Sequence, residues 1–296
     1  KVGNNPASVR KELGILEDET DRPVPLHPLS HAWGYTFYDS HREELVFYGA
    51  PRFNTFLLAA YEIPFRGTLI KEGVDALIAQ RKDKHSVPMG PWRYNIAEGA
   101  FKLEPLGDGA NSLVPPSEDY AQFLPIKGGR YIFLGRHGVY FYDPEQKRWT
   151  KASSLGVQPT GYDHGSVYDP IRNFVYMGGG ITNQPEDART LYVYDVERAT
   201  WTRPETSGTP PESLTSNVAS LAYDSINDKV VVFHVNGTFS LNLVTYEWIR
   251  MAHFPENARG KTIAADYDPV LNAHFVFLAS DGQDDGKMLV YRLKKP

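Results

Sequence analysis

The sequence contains no cysteine among its 296 residues. That absence excludes disulfide bonds, thiolate metal sites and cysteine nucleophiles together. No apolar run approaches the roughly 18 residues needed to span a bilayer, so no membrane partner is predicted. Lys/Arg-rich runs are also missing and the net charge is −5, so nothing favours nucleic acid as a partner.

What the chain does contain is aromatic residues and turn formers. It has 18 Tyr and 15 Phe, with 25 Gly and 22 Pro, a composition typical of many short strands joined by many turns. The first residue is Lys1 rather than Met, which either a processed export signal or a trimmed chain would explain.

One sequence frame recurs four times. A β-like run ends in Asp or Asn, and a large aromatic residue follows six positions later. An Asx side chain ends a strand by bonding its own downstream backbone, which starts a turn, and the aromatic residue then opens the returning strand. The four pairs are Asn95 with Phe101, Asp143 with Trp149, Asp195 with Trp201, and Asn242 with Trp248.

A second frame lies upstream of the first and reads strand, Tyr-Asp, short turn, strand. Together the two frames make units of four strands with a period of roughly 50 residues, which predicts propeller blades rather than a solenoid. The aspartates of the second frame are Asp39, Asp169, Asp224 and Asp268.

The unit around Gly178, Gly179 and Gly180, with Tyr194 and Trp201 downstream, resembles the kelch-repeat family, the propeller type also found in galactose oxidase. The resemblance implies an all-β fold, a β-propeller of kelch-like four-stranded blades, six or seven in number. We expect the propeller to occupy residues 25–296, with residues 1–24 as a lead-in or closing segment. The ranges predicted as blades are 31–64, 66–105, 119–152, 161–204, 215–252 and 260–294, with a helical insertion at 72–84.

Residues that precede the first strands of such blades should ring one mouth of the central channel, where a ligand would bind. The predicted catalytic residues are His31, His164, Tyr162 and Arg259. The predicted substrate-binding residues are Trp33, Tyr120, Asp163, Asn217 and Lys261. For His31 and His164 the alternative interpretation is structural, with each ring bonded to neighbouring backbone.

Three chemistries fit such a mouth to different degrees. Copper-radical oxidation, as in galactose oxidase, needs a Tyr–Cys cofactor and is excluded by the missing cysteine. Polysaccharide β-elimination would use His or Tyr as base and acid, with Arg or Lys offsetting the uronate carboxylate. Hydrolysis by Asp119 and Asp163 is disfavoured further because the sialidase Asp-box pattern is missing.

The function predicted from sequence is therefore carbohydrate recognition or processing in a secreted or periplasmic protein, with a carbohydrate or polysaccharide as the partner and polysaccharide lyase as the favoured class if the protein is an enzyme. The alternative is a non-catalytic protein–protein interaction scaffold. No cofactor is predicted. The acidic stretch Ser280 to Gly286 has the composition of a structural calcium site, but a plain hairpin loop is the favoured interpretation.

Overall fold

The computed structural model describes 24 strands and one short 3₁₀ turn, which fall into two compact units, residues 1–152 and residues 153–296. The residues it describes are 8–10, 15–17, 23–24, 36–48, 89–105, 115, 121–135, 138–182, 184–252, 261–280 and 286–293. The predicted helix at 72–84 lies outside them.

The first unit contains three antiparallel sheets. A small sheet comes first: β1 (Ser8–Arg10), β2 (Ile15–Glu17) and β3 (Pro23–Val24). A four-stranded sheet follows: β4 (Thr36–Asp39), β5 (Glu44–Phe47), β6 (Met89–Asn95) and β7 (Ala100–Pro105). The third sheet is β8 (Gln122–Ile126), β9 (Arg130–Gly135), β10 (Gly138–Asp143) and β11 (Arg148–Lys151).

The second unit also contains three sheets. The first is β12 (Leu155–Gly156), β13 (Ser166–Asp169), β14 (Phe174–Gly178), β15 (Leu191–Asp195) and β16 (Thr200–Thr202). The second is β17 (Ser207–Gly208), β18 (Ala219–Asp224), β19 (Lys229–His234), β20 (Gly237–Asn242) and β21 (Glu247–Ala252). The third is β22 (Lys261–Asp268), β23 (Ala273–Ser280) and β24 (Lys287–Tyr291). The 3₁₀ turn Pro185–Arg189 lies between β14 and β15.

Both sequence frames form the turns that they predict. Asp169 Oδ1 accepts the backbone N–H groups of Ile171 and Arg172 at 2.8 and 3.1 Å, and Asn173 closes the turn in the left-handed region at φ 59°. Asp195 does the same for Glu197 and Arg198. Each Asx side chain therefore supplies the hydrogen bonds that reverse the chain into the next strand.

The predicted number of blades is wrong for the described residues. They form five blade-type sheets instead of six or seven, because the ranges predicted as the first two blades build one sheet. Its third strand, β6, pairs directly with β5, with Val46 opposite Arg93. The Asn95 frame is thus the second half of the blade that begins at β4, and residues 51–88 lie between its two halves.

Two sheets of the second unit carry an extra strand at their outer edge. The linker strand β12 runs parallel to β16, with Gly156 opposite Trp201, and β17 runs parallel to β21, with Gly208 opposite Trp248. Both glycines have positive φ, and a Cβ on either would lie 2.1 Å from the carbonyl oxygen of the opposing tryptophan. The linker that leads into each of these two sheets therefore also covers its edge.

The cores lie between neighbouring sheets. Alternate residues of β19 face opposite ways, so Val230 and Val232 pack towards the preceding sheet, while Val231 and Phe233 pack towards the following one. Strand β13 contacts β18, and β18 contacts β22, so the first strands of the three sheets are neighbours. The order of strands within the sheets and the packing of neighbouring sheets confirm the predicted all-β architecture of propeller-type blades.

Candidate functional site

The predicted site residues that the structure describes are all in the second unit, on the segments that enter first strands. They are Tyr162, Asp163 and His164 before β13, Asn217 before β18, and Lys261 at the start of β22, whose side chain is not described. The others, His31, Trp33, Tyr120 and Arg259, lie outside the described residues. Their predicted roles stay predictions.

The structure brings the segment at 162–164 beside the turn that holds Asn217. Thr215 forms an isolated β-bridge with His164. Next to it, Ser216 donates its backbone N–H to the carbonyl oxygen of Asp163 at 2.7 Å. The second side of the segment is closed by Tyr162 and Ile181, whose backbones exchange hydrogen bonds of 3.2 and 2.7 Å. Three separate loops are thereby joined into one rigid surface.

His164 is buried in this surface, with 5 % of its area exposed. Its Nδ1 lies 2.7 Å from the carbonyl oxygen of Gly178, and its Nε2 lies 2.9 Å from that of Gly161. Burial lowers the pKa of His164, and the two carbonyl contacts oppose that shift. Both ring nitrogens therefore contact backbone carbonyl oxygens, as expected if His164 has a structural role.

The glycines of the kelch-like motif make room for this histidine. Gly180 has φ 75°, and a Cβ there would lie 2.6 Å from His164 Cε1 and 2.5 Å from the carbonyl oxygen of Tyr162. A Cβ on Gly179 would lie 2.1 Å from the carbonyl oxygen of Asp187, in the 3₁₀ turn. The motif is therefore explained by close packing under the loops.

Two of the predicted site residues have described side chains that are exposed. Tyr162 is 42 % exposed, and Asn217 is also exposed. The Thr215 hydroxyl donates to Asn217 Oδ1 at 2.6 Å and lies 2.7 Å from the hydroxyl of Ser213. Asp163, predicted to bind substrate, is 7 % exposed and holds a left-handed backbone at φ 57°.

Within the part of the chain that the structure describes, no three His, Cys, Asp or Glu side chains are grouped so as to hold a metal ion. The centre of the acidic stretch Ser280 to Gly286, residues 281–285, lies outside that part. The described residues also contain no helix long and apolar enough to cross a membrane.

Sequence reasoning missed the opposite ends of these sheets, where the first hairpin turns lie. Arg172 joins two of the turns: it forms a hydrogen-bonded ion pair with Asp228, at 2.6 and 2.5 Å, and reaches Asp169 Oδ2 at 2.9 Å. Large aliphatic side chains are exposed on three of the turns, at Ile171, Ile226, Val270 and Leu271. The available signal was an aliphatic residue two positions after Tyr-Asp in each of the three repeats.

Comparison with known proteins supports the kelch resemblance. No protein-family model matches the chain. It is 27 % identical to the rat "Rab9 effector protein with kelch motifs" over 139 residues, 44 % of this chain and 34 % of that protein. It is 35 % identical to the zebrafish protein of the same name over 107 residues, 34 % of this chain and 30 % of that protein.

A third relative is the bovine "Kelch domain-containing protein 2", 25 % identical over 197 residues, 53 % of this chain and 46 % of that protein. The matches span between about a third and a half of the length of these relatives. The predicted similarity to kelch-repeat propellers is confirmed by them. Carbohydrate enzymes are not among the relatives named here.

Among solved structures, the extracellular domain of the putative one component system BT4673 from B. thetaiotaomicron aligns with a TM-score of 0.42 at 15 % identity, over 71 % of this chain and 25 % of that one. The structure of YjhT aligns with a TM-score of 0.43 at 13 % identity, over 64 % of this chain and 66 % of that one.

Proposed function

We propose that this chain is a non-catalytic protein-interaction module built from kelch-type blades. The observation that carries the proposal is the placement of His164. Of the two histidines predicted to be catalytic, this is the one that the structure describes, and it is buried with both ring nitrogens in contact with carbonyl oxygens. Such a ring fastens loops together and does not exchange protons with a ligand.

The rest of the surface supports the same conclusion. A lyase needs a base within hydrogen-bond reach of the substrate and a cation against its carboxylate. At the described part of the surface, Asp163 is buried and Asn217 accepts a hydrogen bond from Thr215. The arrangement is one of mutually bonded loops, which suits a binding surface that keeps its shape.

The names of the relatives point the same way. Several are named as effectors of Rab9 with kelch motifs, and an effector acts by contacting another protein. Because the matches cover only about a third of those proteins, Rab9 itself is not carried over to this chain. What is carried over is the class of function, recognition of protein.

The test compares two kinds of ligand on the same full chain. One arm selects binders from a displayed library of short protein segments. The other incubates the chain with uronate-containing polysaccharides and follows the absorbance of unsaturated products, with a glycan array for simple binding. We expect selected peptides to bind and the polysaccharides to stay intact. Turnover of a polysaccharide, or glycan binding with no selected peptide, would overturn the proposal in favour of carbohydrate processing or recognition.

A matched pair of variants sharpens the result. His164→Gln should leave the absorbance of the polysaccharide arm at the blank level, as the wild type does, because no catalysis depends on the ring. Asn217→Ala changes an exposed side chain on the neighbouring turn and serves as the control for substitution at this surface, and circular dichroism should show both variants folded. An absorbance from unsaturated products that disappears in His164→Gln but persists in Asn217→Ala would identify His164 as catalytic. That result would refute the proposal that the chain is a non-catalytic module.

A further inference from the structure

Three consecutive sheets of the second unit present exposed aliphatic side chains at equivalent positions. Each lies in the turn between the first and second strands, two residues after the turn's aspartate. The exposed fractions are 67 % for Ile171, 47 % for Ile226 and 90 % for Val270, whose neighbour Leu271 is 52 % exposed. We refer to these four side chains as the turn patch.

Ion pairs and hydrogen bonds join the three turns into one surface. Arg172, beside Ile171, forms the hydrogen-bonded ion pair with Asp228, which closes the turn of Ile226. That second turn begins at Asp224, whose Oδ2 lies 3.3 Å from Nε2 of His274 in the third sheet. Because the first strands of the sheets are neighbours, their turns emerge side by side at the same end.

The fold does not require apolar residues at these positions. The turn is specified by the aspartate and by the residue with positive φ four positions later, and Ile171 contributes its backbone N–H alone. In the first unit the corresponding residue is His41, which is exposed and donates the same backbone N–H to Asp39. A polar residue is therefore compatible with the turn. Exposed aliphatic clusters of this kind mark interaction sites.

The exposed area and the charge of the turn patch indicate what kind of partner binds there. The four side chains expose on the order of 450 Å², which is well short of the roughly 800 Å² that each partner buries in a stable dimer. The turns 169–173, 224–228 and 268–272 contain four aspartates and one arginine, a net charge of −3. Asp169 and Asp224 are fully buried, so Asp228 and Asp268 carry the accessible part of the negative charge. A second copy would bring the same negative charge, and an anionic lipid surface would be repelled as well.

We propose that the turn patch is a docking surface for a short, basic, amphipathic segment of a partner protein. Its aliphatic side chains would cover Ile171, Ile226 and Val270. Its Lys or Arg residues would lie beside Asp228 and Asp268, the two aspartates of these turns that are not buried. The inference rests on the proposed function of the chain as a protein-interaction module, and it places the contact at the end of the sheets opposite the His164 surface.

The test uses the full chain and a short synthetic peptide of leucine and lysine in an amphipathic pattern. The patch variant carries Ile171→Ser and Ile226→Ser. Its matched control carries Leu155→Ser and Val157→Ser, two aliphatic residues that are each 61 % exposed elsewhere in the same unit. We expect the patch variant to bind the peptide at least about tenfold more weakly, and the control to stay within about twofold of wild type. Circular dichroism should show both folded.

Additional experiments distinguish between the possible binding partners of the turn patch. A peptide with glutamate in place of lysine should not bind, and added salt should weaken binding of the lysine peptide. Equal affinity of the patch and control variants for the lysine peptide would overturn the docking surface. So would anionic vesicles binding in its place, or self-association of the wild-type chain that the patch variant abolishes. If peptides selected from the library bind the patch variant as tightly as they bind wild type, the proposal of a protein-interaction module stands and the turn patch is ruled out as its docking surface. If no peptide binds the chain, both proposals fail.

Discussion

Arg172 connects two neighbouring sheets, and replacing it tests how much that connection contributes to stability. Its side chain is 23 % exposed, and its guanidinium lies between Asp169, whose side chain is fully buried, and Asp228, whose side chain is 44 % exposed. The hydrogen bonds from Arg172 lower the pKa of Asp228 against the opposing effect of burial. Arg172→Met removes the cation and keeps most of the aliphatic stem.

The expected loss has two parts of different size. The pair with Asp228 faces solvent, so breaking it costs about 1 kcal/mol at most. The fully buried Asp169 keeps its backbone hydrogen bonds but loses its guanidinium partner, which costs about 1–3 kcal/mol. We therefore expect Arg172→Met to lower the free energy of unfolding by about 2–4 kcal/mol, and Asp228→Asn to lower it by about 1 kcal/mol.

The chain supplies a matched control. Arg198 pairs with Asp195 at the same sequence spacing and on the same kind of Asx turn, but its side chain is 80 % exposed and the contact is 3.6 Å long. Arg198→Met should change stability by no more than about 0.5 kcal/mol. Urea unfolding of the 296-residue variants Arg172→Met, Asp228→Asn and Arg198→Met, followed by tyrosine and tryptophan fluorescence, measures these changes in the free energy of unfolding. If Arg172→Met costs no more than Arg198→Met, the connection through Arg172 does not stabilise the fold.

Three other predictions concern buried groups. Burial raises the pKa of Asp224, but hydrogen bonds from His274 and Asn227 outweigh this effect and lower the pKa to about 2. The free energy of unfolding should therefore fall as the pH drops from about 4 to about 2. Urea titrations across that range should show that Asp224→Asn removes part of this fall. Gly180→Ala should destabilise the chain by at least about 1 kcal/mol in thermal unfolding, because alanine is strained at this φ and meets His164; a neutral result would contradict the packing described here. His164→Ala should cost at least about 1–2 kcal/mol in urea unfolding, because a buried carbonyl loses its donor, while peptide affinity stays at the wild-type value; a stable variant with lost affinity would contradict a structural role.

Much of the fold could be predicted because its turns are encoded locally. Each Asx side chain bonds N–H groups two and three residues downstream, so Asp169 and Asp195 mark their turns without any tertiary information. The number of blades could not be predicted in the same way. The Asn95 frame is complete in itself, and only the pairing of β6 with β5 shows that it belongs to the blade begun by β4.

The sequence predicts that the segment 162–164 and Asn217 lie near one another, as they do in the structure, but it does not predict the contacts of each side chain. The interpretation of His164 depends on which atoms surround the ring, and the carbonyl oxygen of Gly178 arrives from 14 residues away. The contact between Arg172 and Asp228 joins residues 56 apart, so it has no signature within one repeat. The linker strands β12 and β17 are two residues long and have no alternation that a periodicity could detect.

Those linker strands define the unit that protein engineers should copy. A segment cut from the first to the fourth strand of a blade would leave the tryptophan strand with a bare edge, open to pairing with other chains. Residues 155–202 and 207–252 instead each begin with the strand that shields their own last strand. Tandem duplication of 207–252 should therefore lengthen the array without creating an aggregation-prone border, whereas duplication of 219–252 should create one.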